Sequence, residues 1–375
     1  MAWHIATYQA PDFSEARFQN APDCTLVSAP KDGVAPDHYH AMSIFPEYFK
    51  IRGKWLLAEE SRMDCCAVYQ SGRIAVVEFR HLRQGDLVVT GRTENGEEGI
   101  YVHPDGFGSN TEQNPVFAFR MGRSRETGYS RDYDSIYNVL RYEKLHGGKI
   151  VWVLGPACAF DHDARVAFAN LIRKGYVHGL MAGNALATHD LEASYLQTAL
   201  GQDIYTQELQ PLGHYNHLDT INRVRYHGSI PAFIRNETLQ DGIIVACEER
   251  HVPYVLAGSI RDDGPLPEVI GNVYEAQDRM RDMVRDATTV VCMASMLHTI
   301  ATGNMFPSYR VVHGVIRPTF FYSVDISEFA VNKLKDRGSL SVRTIVTNVQ
   351  DFIVNVDNQL TPDKEAEEAP ETDIK

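Results

Sequence analysis

The chain has 375 residues, 44% of them hydrophobic, and a formal net charge of −13. That is length for two or perhaps three domains and enough apolar content for a sizeable core. The acidic balance, without a basic stripe, excludes a nucleic-acid partner, which needs concentrated positive charge. Apolar runs such as Ile243–Cys247 and Val290–Met293 are far too short to cross a bilayer, so no membrane association is expected.

Met1–Ala10 lacks a basic patch followed by an apolar stretch, and no signal peptide is read there. Six cysteines stand at positions 24, 65, 66, 158, 247 and 292 without a CxxC pair or metal spacing. Free thiols in a reducing cytoplasm are expected, and a catalytic Cys158 is the competing reading.

In chain order, residues 1–40 read as irregular, broken by Pro11, Pro22, Pro30 and Pro36. Residues 41–130 form a β-rich domain. Its predicted strands are Lys54–Ala58, Cys66–Tyr69, Arg73–Phe79, Asp86–Thr90 and Gly99–Val102, separated by Gly, Asp and Asn turns. Residues 131–360 form an α/β domain. A helix over Arg131–Leu145 opens it, with Ile136, Tyr137 and Leu140 at helical spacing. Strands follow at Ile150–Leu154, Val177–Met181, Tyr254–Ala257, Val290–Met293, Tyr322–Val324 and Thr344–Val346. Helices alternate with them at Ala164–Lys174, Thr188–Leu200, Leu218–His227 and Ala232–Arg250, and on a face marked by Val273, Ala276, Met280 and Val284. The fold class is therefore α/β, a mostly parallel nucleotide-binding sheet preceded by a smaller β-rich domain. Residues 361–375 are acidic and poor in apolar side chains, the composition of a disordered tail.

In an open α/β sheet, ligands bind beyond the carboxyl ends of the strands, where helix N-termini present unpaired N–H groups. Four strands here run into small residues: Gly155-Pro156-Ala157, Ala182-Gly183-Asn184-Ala185, Ala257-Gly258-Ser259 and Ala294-Ser295. One such turn is an ordinary strand-to-helix connection. Four at the same topological place suit a backbone that approaches a dinucleotide closely, although no GxGxxG is present.

Arg261-Asp262-Asp263 concentrates charge on one of these loops. A solvated turn with an internal ion pair competes with a role in holding substrate nitrogen or a ribose. Thr188-His189-Asp190 reads as a helix start, with Thr188 as N-cap. His298 lies five residues beyond a strand and suits proton shuttling. His214, His217 and Asp219, and the pair His38 and His40, offer only weak metal spacing, and no metal is expected.

Taken together, Val153-Leu154-Gly155-Pro156-Ala157, Ala182-Gly183-Asn184-Ala185-Leu186-Ala187-Thr188-His189-Asp190, Leu256-Ala257-Gly258-Ser259-Ile260-Arg261-Asp262-Asp263-Gly264-Pro265-Leu266-Pro267 and Met296-Leu297-His298 resemble the archaeal-type ornithine cyclodeaminase family. The same module is similar to the C-terminal half of bifunctional arginine dihydrolase/ornithine cyclodeaminase enzymes. The stretch from Phe45-Pro46 to Arg62-Met63-Asp64 resembles the conserved region of lysine-ketoglutarate reductase/saccharopine dehydrogenase. The likeness spans about residues 42 to 357. The arginine dihydrolase domain of the bifunctional enzymes has no counterpart here, and an extra stretch, roughly His313–Phe321, falls beside the edge expected to bind ribose.

The resemblance implies a deoxyhypusine-synthase-like nucleotide domain, NAD as cofactor, a small amino-acid substrate and a homo-oligomer, dimer or tetramer. It further implies conversion of ornithine to proline and ammonia through transient hydride transfer. On that reading Asp262 or Asp263 holds substrate nitrogen and His298 carries protons. Arg261, Asn184 and His189 bind substrate. Gly155, Pro156, Gly183, Asn184, Ala185, Gly258 and Ser259 meet the cofactor, with Asp325 on a ribose. Two alternatives stand beside it: an opine- or saccharopine-type oxidoreductase with net NADH turnover, and a non-catalytic NAD-binding regulatory module.

Overall fold

The computed structural model describes residues 5–108, 129–262, 264–312, 314–326 and 342–361. Asp263, His313 and tail residues 362–375 lie outside the described residues.

The N-terminal half of the fold is antiparallel. After a short helix α1 (Ala16–Gln19) come β1 (Thr25–Ser28), β2 (Glu47–Ile51), β3 (Lys54–Leu57), β4 (Cys66–Gln70), β5 (Arg73–Val77), β6 (Leu87–Thr90) and β7 (Ile100–Val102). They make two sheets, ordered β1-β6-β4-β5 and β3-β2-β7. The expectation of an irregular 1–40 is corrected by β1, which pairs along its length with β6. Strand β2 was also missed. It is buried throughout despite two charges, because each charge has partners. Glu47 meets His40 Nε2 at 2.6 Å, and Lys50 Nζ donates to the carbonyls of Phe18, Gln19 and Ala21.

The α/β half begins with α2 (Tyr129–Leu145). It continues through β8 (Ile150–Leu154), α3 (His162–Arg173), β9 (Gly179–Gly183), α4 (Asn184–Leu196), a small ribbon of β10 (Thr198–Ala199) and β11 (Gln202–Asp203), α5 (Asn216–His227), α6 (Ile230–Asn236), α7 (Ile243–Arg250) and β12 (Tyr254–Ala257). Then follow α8 (Val273–Arg285), β13 (Thr289–Met293), α9 (Met296–Met305), β14 (Tyr309–Val312), β15 (Val315–Pro318), β16 (Phe320–Asp325), β17 (Val342–Val346) and a last helix α10 (Val349–Gln359). Six strands form one parallel sheet in the order β12-β9-β8-β13-β16-β17. Numbered within the sheet this is 3-2-1-4-5-6, the doubly wound dinucleotide-binding order, whose chain direction reverses between β8 and β13.

Both faces of the sheet are covered, which is why its strands are apolar runs rather than alternating ones. Along β8, Ile150, Trp152 and Leu154 join a core shared with α2, α3, α4, α7 and α10. Val151 and Val153 face the opposite core, built on Met280, Met283 and Val284 of α8. The β-rich half is fastened to this second layer. Arg80 Nη2 reaches Asp278 of α8 at 2.5 Å, Arg281 pairs with Glu60, and Tyr309 donates to the Ala58 carbonyl at 2.8 Å.

The expected helix Ala232–Arg250 is two helices. The chain breaks after Asn236 and restarts past Gly242, whose φ of +123° favours glycine. The stretch taken as an insertion is the second arm of the β14–β15 hairpin and the start of β16. Its described residues, 314–321, lie at the opposite end of the strands from Asp325. Arg317 bonds Glu143, whose carboxylate also accepts from Thr288 and Thr289 at the start of β13. The hairpin is therefore pinned at the amino end of the sheet, away from the carboxyl end where Asp325 closes β16.

Candidate active site at the carboxyl edge of the sheet

The strand register places the small-residue turns at one level. Leu154 is opposite Met293 and Ala182, Gly183 is opposite Ala257, and Met293 is opposite Val324. Gly155, Gly183, Gly258, Ala294 and Asp325 therefore emerge side by side. Gly155 lies so close to the neighbouring turn that an added Cβ would fall 1.7 Å from the Ala294 carbonyl oxygen. A Cβ on Gly183 would stand 3.1 Å from His298 Cε1 and 3.7 Å from the Ala257 carbonyl oxygen. The four turns converge across the point where strand order reverses.

His298 sits in the first turn of α9, half-buried, with Nδ1 2.9 Å from Ser295 Oγ. Burial holds its imidazole below the usual histidine pKa, and the Asp262 carboxylate opposes that effect. Asp262 closes its own loop: its Oδ2 accepts from the Ser259 amide at 2.8 Å. The far end of the same loop is tied to α4, where the buried Asn184 Oδ1 accepts from the Leu266 amide at 3.0 Å and from the Thr188 hydroxyl at 3.3 Å. His298, Asp262, Gly183 and Asn184 are thus gathered in one place.

Other sequence-predicted residues are placed differently. Helix α4 starts at Asn184, four residues before the expected N-cap, because β9 runs on to Gly183. Thr188, His189 and Asp190 are consequently buried in mid-helix. His189 Nδ1 is 2.9 Å from Glu192 Oε2, and its ring lies edge-on to Phe160 at 5.5 Å and 6.0 Å from His217; its partners are these rather than His298 or Asp262. Asp190 pairs with the buried Arg165 at 2.9 Å and accepts from the first amides of α7, Ile243 and Ile244. Arg261 is exposed and forms no ion pair among the described residues. Pro156 starts a tight turn, Pro156–Ala159, and Ala185 is the second residue of α4.

The amides of Gly155, Gly258 and Ser259 are engaged within the protein. Their N–H groups donate to Met293 O at 2.7 Å, Ile270 O at 2.9 Å and Asp262 Oδ2 at 2.8 Å. Open amides come instead from helix starts. The residues before α4 and α9, Gly183 and Ser295, make no side-chain cap, whereas α3, α6, α8 and α10 are capped by Asp161, Ser229, Asn272 and Asn348. An uncapped N-terminus with its dipole favours an anion. Cys158 is no nucleophile: complete burial pushes its thiol up to about 12. His214, His217 and Asp219 do not assemble into a metal-ligating group among the described residues.

The sequence reading did not single out Ser295, which meets His298 in the site, or Glu192, which ties α4 to the β10–β11 ribbon. Ser295 is signalled by its three-residue spacing from His298. Glu192 is fully buried and accepts from His189, the Thr198 hydroxyl, and the amides of Leu200 and Gly201; an acid three residues after a histidine on an apolar helix is its sequence trace.

The fold and this edge define a protein with a Rossmann-type α/β domain and an antiparallel β-rich companion, its candidate site at the reversal of strand order. Residues 134–356 match the family described as arginine dihydrolase ArgZ-like, C-terminal, Rossmann fold, and residues 46–126 match the first region of the same C-terminal module. An ornithine cyclodeaminase of Archaeoglobus fulgidus is 39% identical over 340 residues, covering 90% of this chain and 79% of the relative. The crystal structure of a conserved putative LOR/SDH protein from Methanococcus maripaludis superposes with a TM-score of 0.80 at 33% identity, covering 90% of this chain and 98% of that one. AgrE, solved as a ternary complex with ornithine and NAD+, superposes with a TM-score of 0.55 at 31% identity, over 91% of this chain and 46% of AgrE. The chain belongs to the archaeal-type ornithine cyclodeaminase family, whose module recurs as the C-terminal part of the ArgZ-like enzymes. Among the described residues no helix is long and apolar enough to cross a membrane.

Proposed function

We propose that this protein is an NAD-dependent ornithine cyclodeaminase, converting L-ornithine to L-proline and ammonia with no net oxidation. The observation that carries the proposal is the convergence of the turns after β8, β9, β12 and β13 around His298 in a chain of this family. The ternary complex of AgrE with ornithine and NAD+ supports it from a relative.

The edge suits a dinucleotide. Gly183, Asn184 and Ala185 begin a helix without a side-chain cap, which leaves its first amides without a side-chain acceptor and suits a pyrophosphate. Gly155 and Pro156 let the β8 and β13 turns close on each other, Gly258 and Ser259 shape the β12 turn, and Asp325 ends β16 in position for a ribose hydroxyl. When bound, NAD would accept a hydride from the substrate α-carbon and return it to the same carbon of the ring-closed imine, giving proline. The chain's own groups orient substrate and move protons. Asp262 or Asp263 holds substrate nitrogen, and Asn184 ties down the loop that bears Asp262 through the Leu266 amide. Arg261 takes the α-carboxylate, and His298, whose pKa burial lowers, exchanges the protons that ring closure and ammonia release require.

The test is turnover of L-ornithine by purified protein with catalytic NAD+. Proline and ammonia forming in equal amounts without lasting NADH is the expected result. Sustained NADH accumulation would refute it and favour the second reading, an amino-acid oxidoreductase with net turnover, to which the likeness to a putative LOR/SDH protein points.

A further inference from the structure

Two consecutive residues after β13 break local rules. Ala294 adopts φ +55°, a left-handed conformation that a residue with a Cβ rarely takes. Ser295 stands at the N-cap of α9, the position where a serine hydroxyl ordinarily accepts from the helix's first amides, yet it makes no such bond. Its hydroxyl is turned to His298 Nδ1, 2.9 Å away. Local rules broken at a site commonly mark function rather than accident. Here the second departure has a visible effect: the Ser295 hydroxyl meets the imidazole of His298, whose Cε1–Nε2 edge lies over Gly183.

We propose that Ser295 is a positioning residue that donates its hydroxyl proton to His298 Nδ1 and thereby holds the neutral ring as the Nε2–H tautomer, with Nε2–H on the side of the β9 turn at Gly183. The direction of donation follows from the available acceptors. His298 Nδ1 is the one acceptor for the Ser295 hydroxyl among the described residues. The reverse direction would leave that hydroxyl proton without a protein acceptor. A second group fixing the tautomer of a working histidine is a general device, since the wrong tautomer presents a lone pair where a proton is needed. Among the described residues the titratable group facing the ring from the opposing loop is Asp262.

The inference rests on the reading of His298 as proton carrier, and two readouts keep them separable. Histidine-nitrogen NMR on the full chain, at a pH where the ring is neutral, reports the tautomer directly. His298→Gln identifies the signal among the 15 histidines. Wild type is expected as Nε2–H, Ser295→Ala as a mixture or as Nδ1–H, and Ser295→Thr, which keeps the hydroxyl, as Nε2–H. In turnover, Ser295→Ala should lose roughly 10–100-fold in kcat with little change in KM, the size typical of removing the group that orients a working histidine, and Ser295→Thr should recover most of it. A wild-type ring in the Nδ1–H form overturns the proposal, as does a folded Ser295→Ala protein whose tautomer is unchanged. If the chain does not turn over ornithine at all, the proposed function falls while the tautomer still decides the role of Ser295.

Discussion

Replacing Gly155 by alanine tests whether the β8 and β13 turns must touch. An ideal Cβ there lies 1.7 Å from the Ala294 carbonyl oxygen and 2.4 Å from its carbonyl carbon. Carbon and carbonyl oxygen approach no closer than about 3.3 Å, so the turns must part by roughly 1.6 Å. Neither can move freely: Gly155 N–H is bonded to Met293 O at 2.7 Å, and Ala294 already holds φ +55°. Overpacking of this kind costs about 1–3 kcal/mol, a fall in melting temperature of several degrees for a chain of this size. A displacement of about 1 Å in a positioning element can cost ~100-fold in turnover, so kcat/KM should fall more steeply than stability. Gly271→Ala is the control, because a Cβ there meets nothing within 4 Å. Melting curves with and without NAD+, together with steady-state kinetics, read both effects. If Gly155→Ala melts, binds and turns over like Gly271→Ala, the convergence of the two turns has no functional weight.

Three further outcomes are expected. Asn184→Ala removes the acceptor of the Leu266 amide and should loosen the loop that bears Asp262, seen as faster hydrogen exchange at Leu266 and a raised KM for ornithine. Asp190→Ala leaves Arg165 buried without its main partner and uncaps α7. Breaking a buried pair costs about 3–5 kcal/mol, so denaturant melts should show a large loss, while a loss under about 1 kcal/mol would contradict a structural role. Burial lowers the pKa of both His298 and His178 below the ordinary 6.5. The unfolded chain therefore takes up protons at these positions before the native state does, and their contribution to stability, complete above pH about 6.5, declines as pH falls below it. Urea midpoints measured across that range should drop toward acid more in wild type than in a His178→Gln variant.

Much of the sheet was legible because its strands are buried on both faces and read as continuous β-branched runs. Ile150–Leu154 and Tyr254–Ala257 agree with the sequence reading residue for residue. The site turns were legible for a related reason: small residues recur where strands end. What failed was local chemistry decided at long range. Thr188 looks like an N-cap, but the strand before it lies two residues further along the chain than its apolar run suggests, and Asn184 takes the first helical position with its side chain committed to a distant loop. Strand β2 was hidden because Glu47 and Lys50 look like surface residues until their partners at His40 and at the carbonyls around Phe18 are known. The bonded amides of Gly155 and Gly258 could not be foreseen either, since Met293 and Ile270 become their acceptors only once the strands are aligned.

The most direct measurement follows the substrate hydrogen. Ornithine carrying deuterium at the α-carbon, turned over with catalytic unlabelled NAD+, should give proline with the deuterium retained at the same carbon, because a hydride taken and returned within one closed pocket does not exchange with water. Proline bearing solvent hydrogen at that position, or deuterium accumulating in reduced cofactor with no proline formed, would contradict the proposed chemistry.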